Sequence, residues 1–314
     1  MAITRTADVD YDQTAFDRLA YFALRPELYH DGVADVRPTR QSMVGSAVTF
    51  TVQSDMSVQS ATINESTDVT AVTLADTQVT LTLAEYGAAI QTTAKLRGTS
   101  FVELDPIFVN VVGFNAGISI DTIARDVIYT GTNVRYAGQA VSRATVIPTD
   151  TLTANNVRRS LADLRGANVP TIGGLYVAFI HPDVSYDLRG QTGAAAWRDP
   201  HTYSQPGEIW NGEVGAFEGF RFIETPRAKI FTDAGSSTTL TDVYATQFLG
   251  RQYLAKAWST ADGNGPLPRV FPGPVTDLLR RFVPYAWYWI GVYGEFRAAA
   301  GRRVESSSSI GTNS

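Results

Sequence analysis

One segment constrains the fold more than any other, because residues 105–131 have the pattern of a single long helix. Asp105 suits an N-cap, Pro106 suits the first helical position, and Gly131 ends the pattern. Apolar residues recur between them at spacings of about three to five: Ile107, Val111, Phe114, Ile118, Ile123, Val127 and Ile128. About 25 residues at about 1.5 Å rise make a rod of about 37 Å. Gly113 and Gly117 predict a close backbone approach on one side of this helix.

Strands are predicted on both sides of the helix. Alternating apolar residues at 48–54 and 77–87 predict two half-buried strands, and the Ser- and Thr-rich segment between them predicts one long hairpin with a loose tip. A hairpin of two strands is marginally stable alone, so it must pack on its own chain or on a partner. After the helix, the pattern predicts a second helix over 153–165 and buried strands at 173–180 and 219–231.

The two ends of the chain are predicted to be less regular. Residues 14–29 predict a short helix that Pro26 interrupts, followed by an extended N-terminal arm. The C-terminal region predicts two strands, one of them at 287–296, and the serine-rich tail 305–314 predicts a frayed end. The whole pattern is that of an α+β fold.

The composition supports a packed core without a basic surface. Of 314 residues, 44% are hydrophobic, which suffices for one large domain or two smaller ones. Charged residues make up 18% and the net charge is -5, so tight binding to nucleic acid is not expected. The absence of cysteine excludes disulfides and thiolate metal sites.

The sequence predicts a soluble cytoplasmic product. Its N-terminus lacks the apolar segment of a signal peptide. The longest apolar stretch, near 285–293, is shorter than the roughly 20 residues of a membrane span.

Catalytic and cofactor motifs are missing from the sequence. There is no GxSxG elbow, no GxxxxGK loop and no GxGxxG after a strand, so neither catalytic residues nor a cofactor are predicted. Asp8, Asp10 and Asp12 resemble the start of a calcium loop, but Gln13 and Leu19 stand where that loop needs a glycine and a glutamate. The glycine-spaced segment 212–219 predicts a turn.

Three histidines are present, His30, His181 and His201, and no pair has the spacing of a helical zinc site. His181 lies in the stretch YVAFIHPDVSYDLRG (176–190). Pro182 suits the first position of a helix and Asp183 suits its positive N-terminus. A strand-to-helix turn therefore explains the stretch without a metal.

A carbohydrate-active enzyme is a weaker alternative. Carboxylates and aromatic side chains lie close together in this part of the sequence: Asp183, Glu208, Glu213 and Glu218 with Trp197, Trp210 and Tyr203. Glycosidases need two carboxylates about 5 to 10 Å apart, and sequence alone leaves that open.

The charges of the chain are distributed unevenly. Residues 41–94 contain no lysine or arginine, but they contain the acids Asp55, Glu65, Asp68, Asp76 and Glu85. Arginines crowd the C-terminal region instead: Arg280, Arg281, Arg297, Arg302 and Arg303. A solvated acidic loop is one explanation. The other is an intersubunit contact, in which hairpin carboxylates face arginines of a neighbouring copy.

Five stretches match a known family in their order and spacing. They are DVRPTRQSMVGSAVTFTVQSD (35–55), TQVTLTLAEYGAAIQTTAKLRGTSF (77–101), NAGISIDTIARDVIYTG (115–131), YVAFIHPDVSYDLR (176–189) and GEIWNGEVGAFEGFRFIET (207–225). Together they cover much of residues 35–225. They resemble the major capsid proteins of tailed bacteriophages with the HK97 fold, and among these the phage N4-type coat proteins.

The resemblance implies a shell-building protein that forms hexamers and pentamers of an icosahedral head around double-stranded DNA. It implies an N-terminal arm (1–44), an extended hairpin called the E-loop (45–92), a P domain with the long helix as its spine (93–149), an A domain (150–261), and returning P-domain strands with the tail (262–314). Arm and E-loop would reach over neighbouring subunits. Scaffolding, portal and decoration proteins are the further partners that it implies, in a virion assembled in the host cytoplasm.

One departure from the family limits this expectation. The fold's best-known member joins an E-loop lysine to an asparagine of a neighbour, but the E-loop here has no lysine, so that crosslink is not expected. The arm is short, which implies a separate scaffolding protein or none. Another phage structural component, such as a tail-tube subunit, stays an alternative.

Overall fold

The structure is a computed structural model that describes residues 29–36, 47–53, parts of 56–74, 76–100, 104–191, 213–236, 240–259, 265–273, 277–279 and 281–310. The predicted N-terminal helix, except for its last residue, and the acidic start of the chain lie outside these ranges. Several residues singled out in the sequence also lie outside the described residues: Asp55, Trp197, His201, Tyr203, Glu208, Trp210 and Arg280.

Strands and four helices alternate along the described chain. The strands are β1 (Asp35–Val36), β2 (Ala47–Gln53), β3 (Asp76–Thr82), β4 (Ala84–Thr93), β5 (Val134–Tyr136), β6 (Tyr176–Ile180), β7 (Glu213–Phe217), β8 (Phe220–Glu224), β9 (Ile230–Phe231), β10 (Val243–Leu249), β11 (Leu254–Trp258), β12 (Arg269–Pro272), β13 (Phe282–Glu295) and β14 (Gly301–Ser306). The helices are α1 (Ala94–Thr99), α2 (Leu104–Ile128), α3 (Ala154–Gly166) and α4 (Pro182–Gly190).

The first sheet is built around the long strand β13. β4 pairs antiparallel with residues 282–291 of β13, while β12 pairs with 285–288 and β11 with 291–295. Because these ranges overlap, β11 and β12 lie on the side of β13 opposite β4, and β1 adds to β11 in parallel. Tyr285, Trp287 and Trp289 alternate toward the buried face. The Trp287 indole N–H donates to Asn115 of α2 at 2.8 Å, so the long helix packs against this face.

The second sheet has the strand order β5-β14-β10-β6-β8-β7, with β9 beside β10. Every residue of β6 and β10 is buried, as expected for apolar strands that are covered on both faces. Val157 of α3 and Val184 of α4 join the same core as the tryptophans of the first sheet. Thr153 caps α3, which confirms the helix predicted over 153–165.

The predicted long helix is confirmed as α2, with 25 residues. Its buried stripe recurs every four residues: Val112, Ala116, Ile120, Ala124 and Ile128. Of the apolar positions named from the sequence, Ile128 alone is fully buried and Val111 is exposed. The helix is apolar around much of its circumference, so spacing could not select the packed face. A Cβ added at Gly113 would face open space with no neighbour within 4 Å, so the predicted close approach there is not made within the described chain.

The predicted hairpin is confirmed, with one correction. β2 and β3 pair antiparallel from Ala47↔Thr82 to Gln53↔Asp76. The alternating stretch 77–87 is two strands, because it breaks at Leu83 and β4 continues into the first sheet. Phe50 and Leu81 pack at the base of the hairpin against a small cluster of the first sheet that contains Ala255 and Ala257. The hairpin is therefore attached to its own chain at its base.

Four other sequence interpretations were wrong. Residues 213–217 of the predicted turn form β7, and the turn itself is Glu218–Gly219, where both residues have positive φ. Residues 219–231 hold two strands, β8 and β9, instead of one. The tail is buried from Glu305 to Ser308, so it is not frayed there. Ile107–Ile128 is long and apolar enough to cross a membrane by length and composition alone, so the sequence did contain such a stretch.

The predicted domain boundaries stay a prediction, and sheet membership does not follow them at several strands. β1 was assigned to the arm and most of β4 to the E-loop, and both strands lie in the first sheet. β5 and β14 pair with each other in the second sheet although both were assigned to the P domain. β11 was assigned to the A domain and pairs with β13 in the first sheet. Pairing between strands far apart in sequence leaves no local signal, so composition could not place these boundaries.

Candidate assembly surfaces

The outer part of the hairpin exposes apolar side chains. Six lie within residues 56–74, and Val58 is 92% exposed. They are Met56, Val58, Ile63, Val69, Val72 and Leu74. Exposed apolar residues concentrated in one segment mark interaction sites. The sequence interpretation missed them because the surrounding serines and threonines make the segment polar on average.

The hairpin acids are also on the surface. Glu65, Asp68, Asp76 and Glu85 are exposed, and none of them forms an ion pair with the described part of the chain. The carboxylate of Asp68 accepts the backbone N–H of Val69 at 2.8 Å. The hairpin therefore presents unpaired negative charge together with apolar side chains.

Two of the predicted arginine partners are engaged within their own chain. Arg302 forms an ion pair with Asp163 at 3.1 Å. Arg303 is buried, forms an ion pair with Glu305 at 2.8 Å and donates to the carbonyl of Tyr129. These guanidinium groups stabilise the fold of the subunit, which leaves less of their charge for a neighbouring copy.

A third arginine, Arg281, is more accessible. Its side chain is 56% exposed, and Nε donates to the carboxylate of Asp277 at 3.0 Å. That hydrogen bond holds the pKa of Asp277 below its ordinary value. Among the predicted arginine partners that the structure describes, Arg281 is therefore the best placed for contact with another subunit.

His181 lies where the sequence predicted, between β6 and α4. Its Nδ1 accepts the backbone N–H of Asp183 at 3.3 Å and so caps α4. Tyr244 donates its hydroxyl to the carboxylate of Asp183 at 2.9 Å. Burial lowers the pKa of His181, against the opposing charges of Asp183 and Glu224. The strand-to-helix interpretation is confirmed, and no three metal-binding side chains cluster within the described ranges.

The carboxylates of the enzyme alternative make separate contacts where the structure describes them. Glu218 accepts a hydrogen bond from Arg158 at 2.8 Å, in the turn between β7 and β8. Asp183 lies at the start of α4, engaged by Tyr244. Glu208 and the side chain of Glu213 lie outside the described part of the structure.

The segment that joins the arm to the body is fixed by a buried polar cluster. The backbone N–H of His30 donates to Asp121 of α2 at 2.9 Å, and His30 Nδ1 lies 3.1 Å from the same carboxylate. Arg227 donates to Asp121 from Nε, also at 2.9 Å. Although burial opposes ionisation, His30 and Arg227 hold the pKa of Asp121 below its ordinary value. We call these three side chains the arm junction.

The next residue, Asp31, binds the first sheet. It accepts hydrogen bonds from Lys256 Nζ at 2.7 Å and from the hydroxyl of Tyr293 at 2.5 Å. Burial and the nearby Asp31 charge raise the pKa of Tyr293 above its ordinary range, so the phenol remains a donor. Sequence reasoning missed these contacts, because Asp31 and Lys256 are 225 residues apart.

The body pairs its buried charges internally, while the hairpin leaves apolar and acidic side chains without partners in the described chain. This combination is typical of a subunit that completes its surface in a larger assembly. The sequence matches a family model described as phage capsid protein over residues 5–310, so the chain belongs to that family.

Solved capsid structures share the fold. The capsid protein of Ralstonia phage GP4 matches with a TM-score of 0.77 at 15% identity, over 98% of each chain. That of cyanophage Pam1 matches with a TM-score of 0.73 at 12% identity, over 98% of this chain and 99% of that one. The acid-stable capsid of Helicobacter pylori bacteriophage KHP30 matches with a TM-score of 0.69 at 10% identity, over 98% and 99%. Among curated proteins none matches.

The fold is therefore the HK97-like α+β fold of phage capsids. The protein is a major capsid protein, a structural component of the virion that forms the head shell.

Proposed function

We propose that this capsid protein assembles as hexamers and pentamers into an icosahedral shell around the double-stranded DNA of a tailed phage, in the host cytoplasm. Ring-shaped capsomers need heterologous contacts, in which one surface of a subunit meets a different surface of the next. The net charge of -5 supports a container that encloses DNA without binding its sequence. The N4-type subfamily and the scaffolding, portal and decoration partners belong to the same proposal.

The hairpin is the observation that carries the proposal. Its exposed apolar side chains, such as Val58 and Ile63, gain most by leaving water, and within the described residues its own chain covers the base of the hairpin alone. The outer parts of the arm (1–44) and of the E-loop (45–92) accordingly reach over adjacent subunits, while β1 and β4 stay in the first sheet of their own chain. The A domain (150–261) then packs around the axis of each capsomer, and the P domain (93–149 and 262–314) connects capsomers.

Charge pairing between copies is the second part of the proposal. Asp68 and Asp76 of the hairpin face arginines of the neighbour, and Arg281 is the partner that its exposure favours. Arg302 and Arg303 contribute less, because acids of their own chain already neutralise them.

Charge reversal tests the proposal. Asp68→Arg and Asp76→Arg should impair self-association at physiological salt, and Arg281→Glu in the same chain should partly restore it. Asp68→Asn is the matched control, since it removes the charge without reversing it and should have a smaller effect. Electron microscopy and sedimentation measure the fraction of subunits in shells.

The outcomes separate the alternatives. Full assembly of the reversed variants would refute the charge pairing. Tubes of the unmodified protein in place of closed shells would indicate a tail-tube subunit and refute the shell.

A further inference from the structure

Two edges of the first sheet, at β12 and at β4, differ among the described strands. β12, on one side, has four residues and includes Pro272, which has no N–H to donate. β4, on the other side, has ten residues with neither proline, lysine nor arginine, and Glu85 is its one charged residue. Proteins protect exposed edges with short strands, prolines and charges, because an open edge pairs with other chains. The edge at β12 has this protection, and the edge at β4 does not.

The backbone groups at the open edge can be assigned from the register. The Ala94 N–H donates to the carbonyl of Arg281 at 2.7 Å and continues the pairing of β4 with β13. Alternate residues of an antiparallel strand point their N–H and C=O groups to the same side. The even-numbered residues of β4 therefore face β13. The odd-numbered residues face outward, and all of them are exposed: Glu85, Gly87, Ala89, Gln91 and Thr93.

A second hydrogen bond gives the same assignment. The Gly273 N–H donates at 2.9 Å to the carbonyl of Pro284, which lies opposite Gln91 in the register. Pro284 therefore directs its carbonyl toward β12, and Gln91 directs its backbone away from β13. Among the described strands, none pairs with the outer edge of β4.

We propose that the outer edge of β4 accepts a strand of the β2–β3 hairpin from a second copy of this chain. The inference rests on the proposed self-assembly and names a main-chain contact within it. The hairpin is suited to this role because its two-stranded sheet also has open edges and is marginally stable alone. β2 contains neither proline nor a charged residue. Pairing it with β4 satisfies backbone groups on both copies, as in other cases of strand addition.

A proline at an outward position tests the contact. Ala89→Pro removes an outward N–H and leaves the ladder to β13 intact. Val270→Pro on β12 is the matched control. The backbone N–H of Gly273 faces β13, and because direction alternates along the strand, the backbone N–H of Val270 faces away from β13 on the opposite edge of the sheet. Both variants should fold as subunits, judged by circular dichroism and thermal unfolding. Ala89→Pro should raise the concentration needed for shells by about tenfold or more, equal to about 1.4 kcal/mol. Equal assembly of the two variants would overturn the inference.

Hydrogen exchange of the unmodified protein tests the same contact without a variant. In free subunits the amides of Gly87, Ala89 and Gln91 should exchange rapidly, while the even-numbered amides of β4 are protected. In shells both sets should be protected. Shells in which the odd-numbered amides still exchange rapidly would refute the strand addition and leave the proposed self-assembly standing.

Engineered crosslinks identify the occupant, since the chain has no cysteine of its own. Ala89→Cys is combined with Thr49→Cys or Thr51→Cys on β2, and the shells are oxidised. A disulfide between positions 89 and 49 or 51 of different subunits supports the hairpin as the occupant. Efficient self-crosslinking of Ala89→Cys alone would show β4 paired with β4 and overturn that assignment.

Discussion

The arm junction and the hairpin tip place their carboxylates in opposite environments, one buried and paired within the chain and the other exposed to solvent. At the arm junction, the Asp121 carboxylate is 1% exposed and is held by His30 and Arg227, from distant parts of the chain. At the hairpin tip, Asp68 is exposed and accepts the backbone N–H of its neighbour Val69. Apolar side chains differ between the two regions in the same way. At the arm junction Phe179 is buried and stacks on His30, whereas at the hairpin tip Val58 is 92% exposed.

This difference separates the part of the sequence that folds the subunit from the part that serves its neighbours. A buried carboxylate costs several kcal/mol of desolvation unless partners compensate it within the same chain. Exposed acids and aliphatic side chains impose no such condition on the subunit. Substitutions in the two regions should therefore affect different quantities: the free energy of unfolding at the arm junction, and the free energy of association at the hairpin.

The largest expected effect on subunit stability is that of Asp121→Ala. The change leaves Arg227 without its buried carboxylate, so the free energy of unfolding should fall by about 3 kcal/mol or more. Asp126→Ala is the control on the same helix, since Asp126 is exposed and pairs with Arg125 at the surface. Its effect should stay below about 1 kcal/mol. Denaturant unfolding of free subunits measures both, and equal losses would contradict the distinction between buried and exposed acids.

The same carboxylate predicts a pH dependence. The pKa of Asp121 is lowered in the folded subunit, so the unfolded chain binds more protons in acid. Its contribution to stability is complete above the ordinary aspartate pKa of about 3.9 and is lost as the pH falls toward the lower folded value. Asp121→Asn should be less stable at neutral pH and lose less on acidification. Parallel pH profiles of the two proteins would contradict this assignment.

The buried tail predicts a smaller effect. Ser307 donates its backbone N–H to the carbonyl of Asp150 at 2.9 Å and its hydroxyl to that of Pro148 at 3.0 Å. Ending the chain after Ser306 removes both hydrogen bonds, which should cost about 2 kcal/mol in thermal or denaturant unfolding. Ending it after Ile310 is the control and should change little. If the chain that ends after Ser306 is as stable as the control, the tail contributes nothing to stability, and the frayed end predicted from the sequence would be correct.

The tail also shows which features of the fold sequence can predict. Local patterns predicted α2, α3, the hairpin and the turn at His181, because capping residues and periodicity act over a few neighbouring positions. Ser307 is buried through contacts with Pro148 and Asp150, more than 150 positions away, which serine content does not signal. Pairing of β14 with β10 was missed for the same reason.

The candidate surfaces were predicted only in part. A segment without basic residues correctly indicated an exposed acidic hairpin, since charge composition is a local property. It could not show that Arg303 is buried against Glu305, and it overlooked Met56 and Val58 among polar neighbours. The arm junction left no signal, because His30 and Asp121 are 91 residues apart and meet only in the folded chain.

The smallest effect on the fold is expected at the hairpin tip, where the effect on assembly should be clear. Val58→Ser combined with Ile63→Ser removes two exposed aliphatic side chains, so subunit stability should change by less than about 0.5 kcal/mol. If a neighbour buries these side chains in the shell, each substitution costs about 1.5 kcal/mol of association free energy. Together they cost about 3 kcal/mol, and the concentration needed for assembly rises about a hundredfold. Val141→Ser, at an 82% exposed valine outside the hairpin and away from Arg281, is the control. Because unfolding and assembly are measured on the same preparations, a loss of subunit stability with normal assembly would reverse the roles assigned to the two regions.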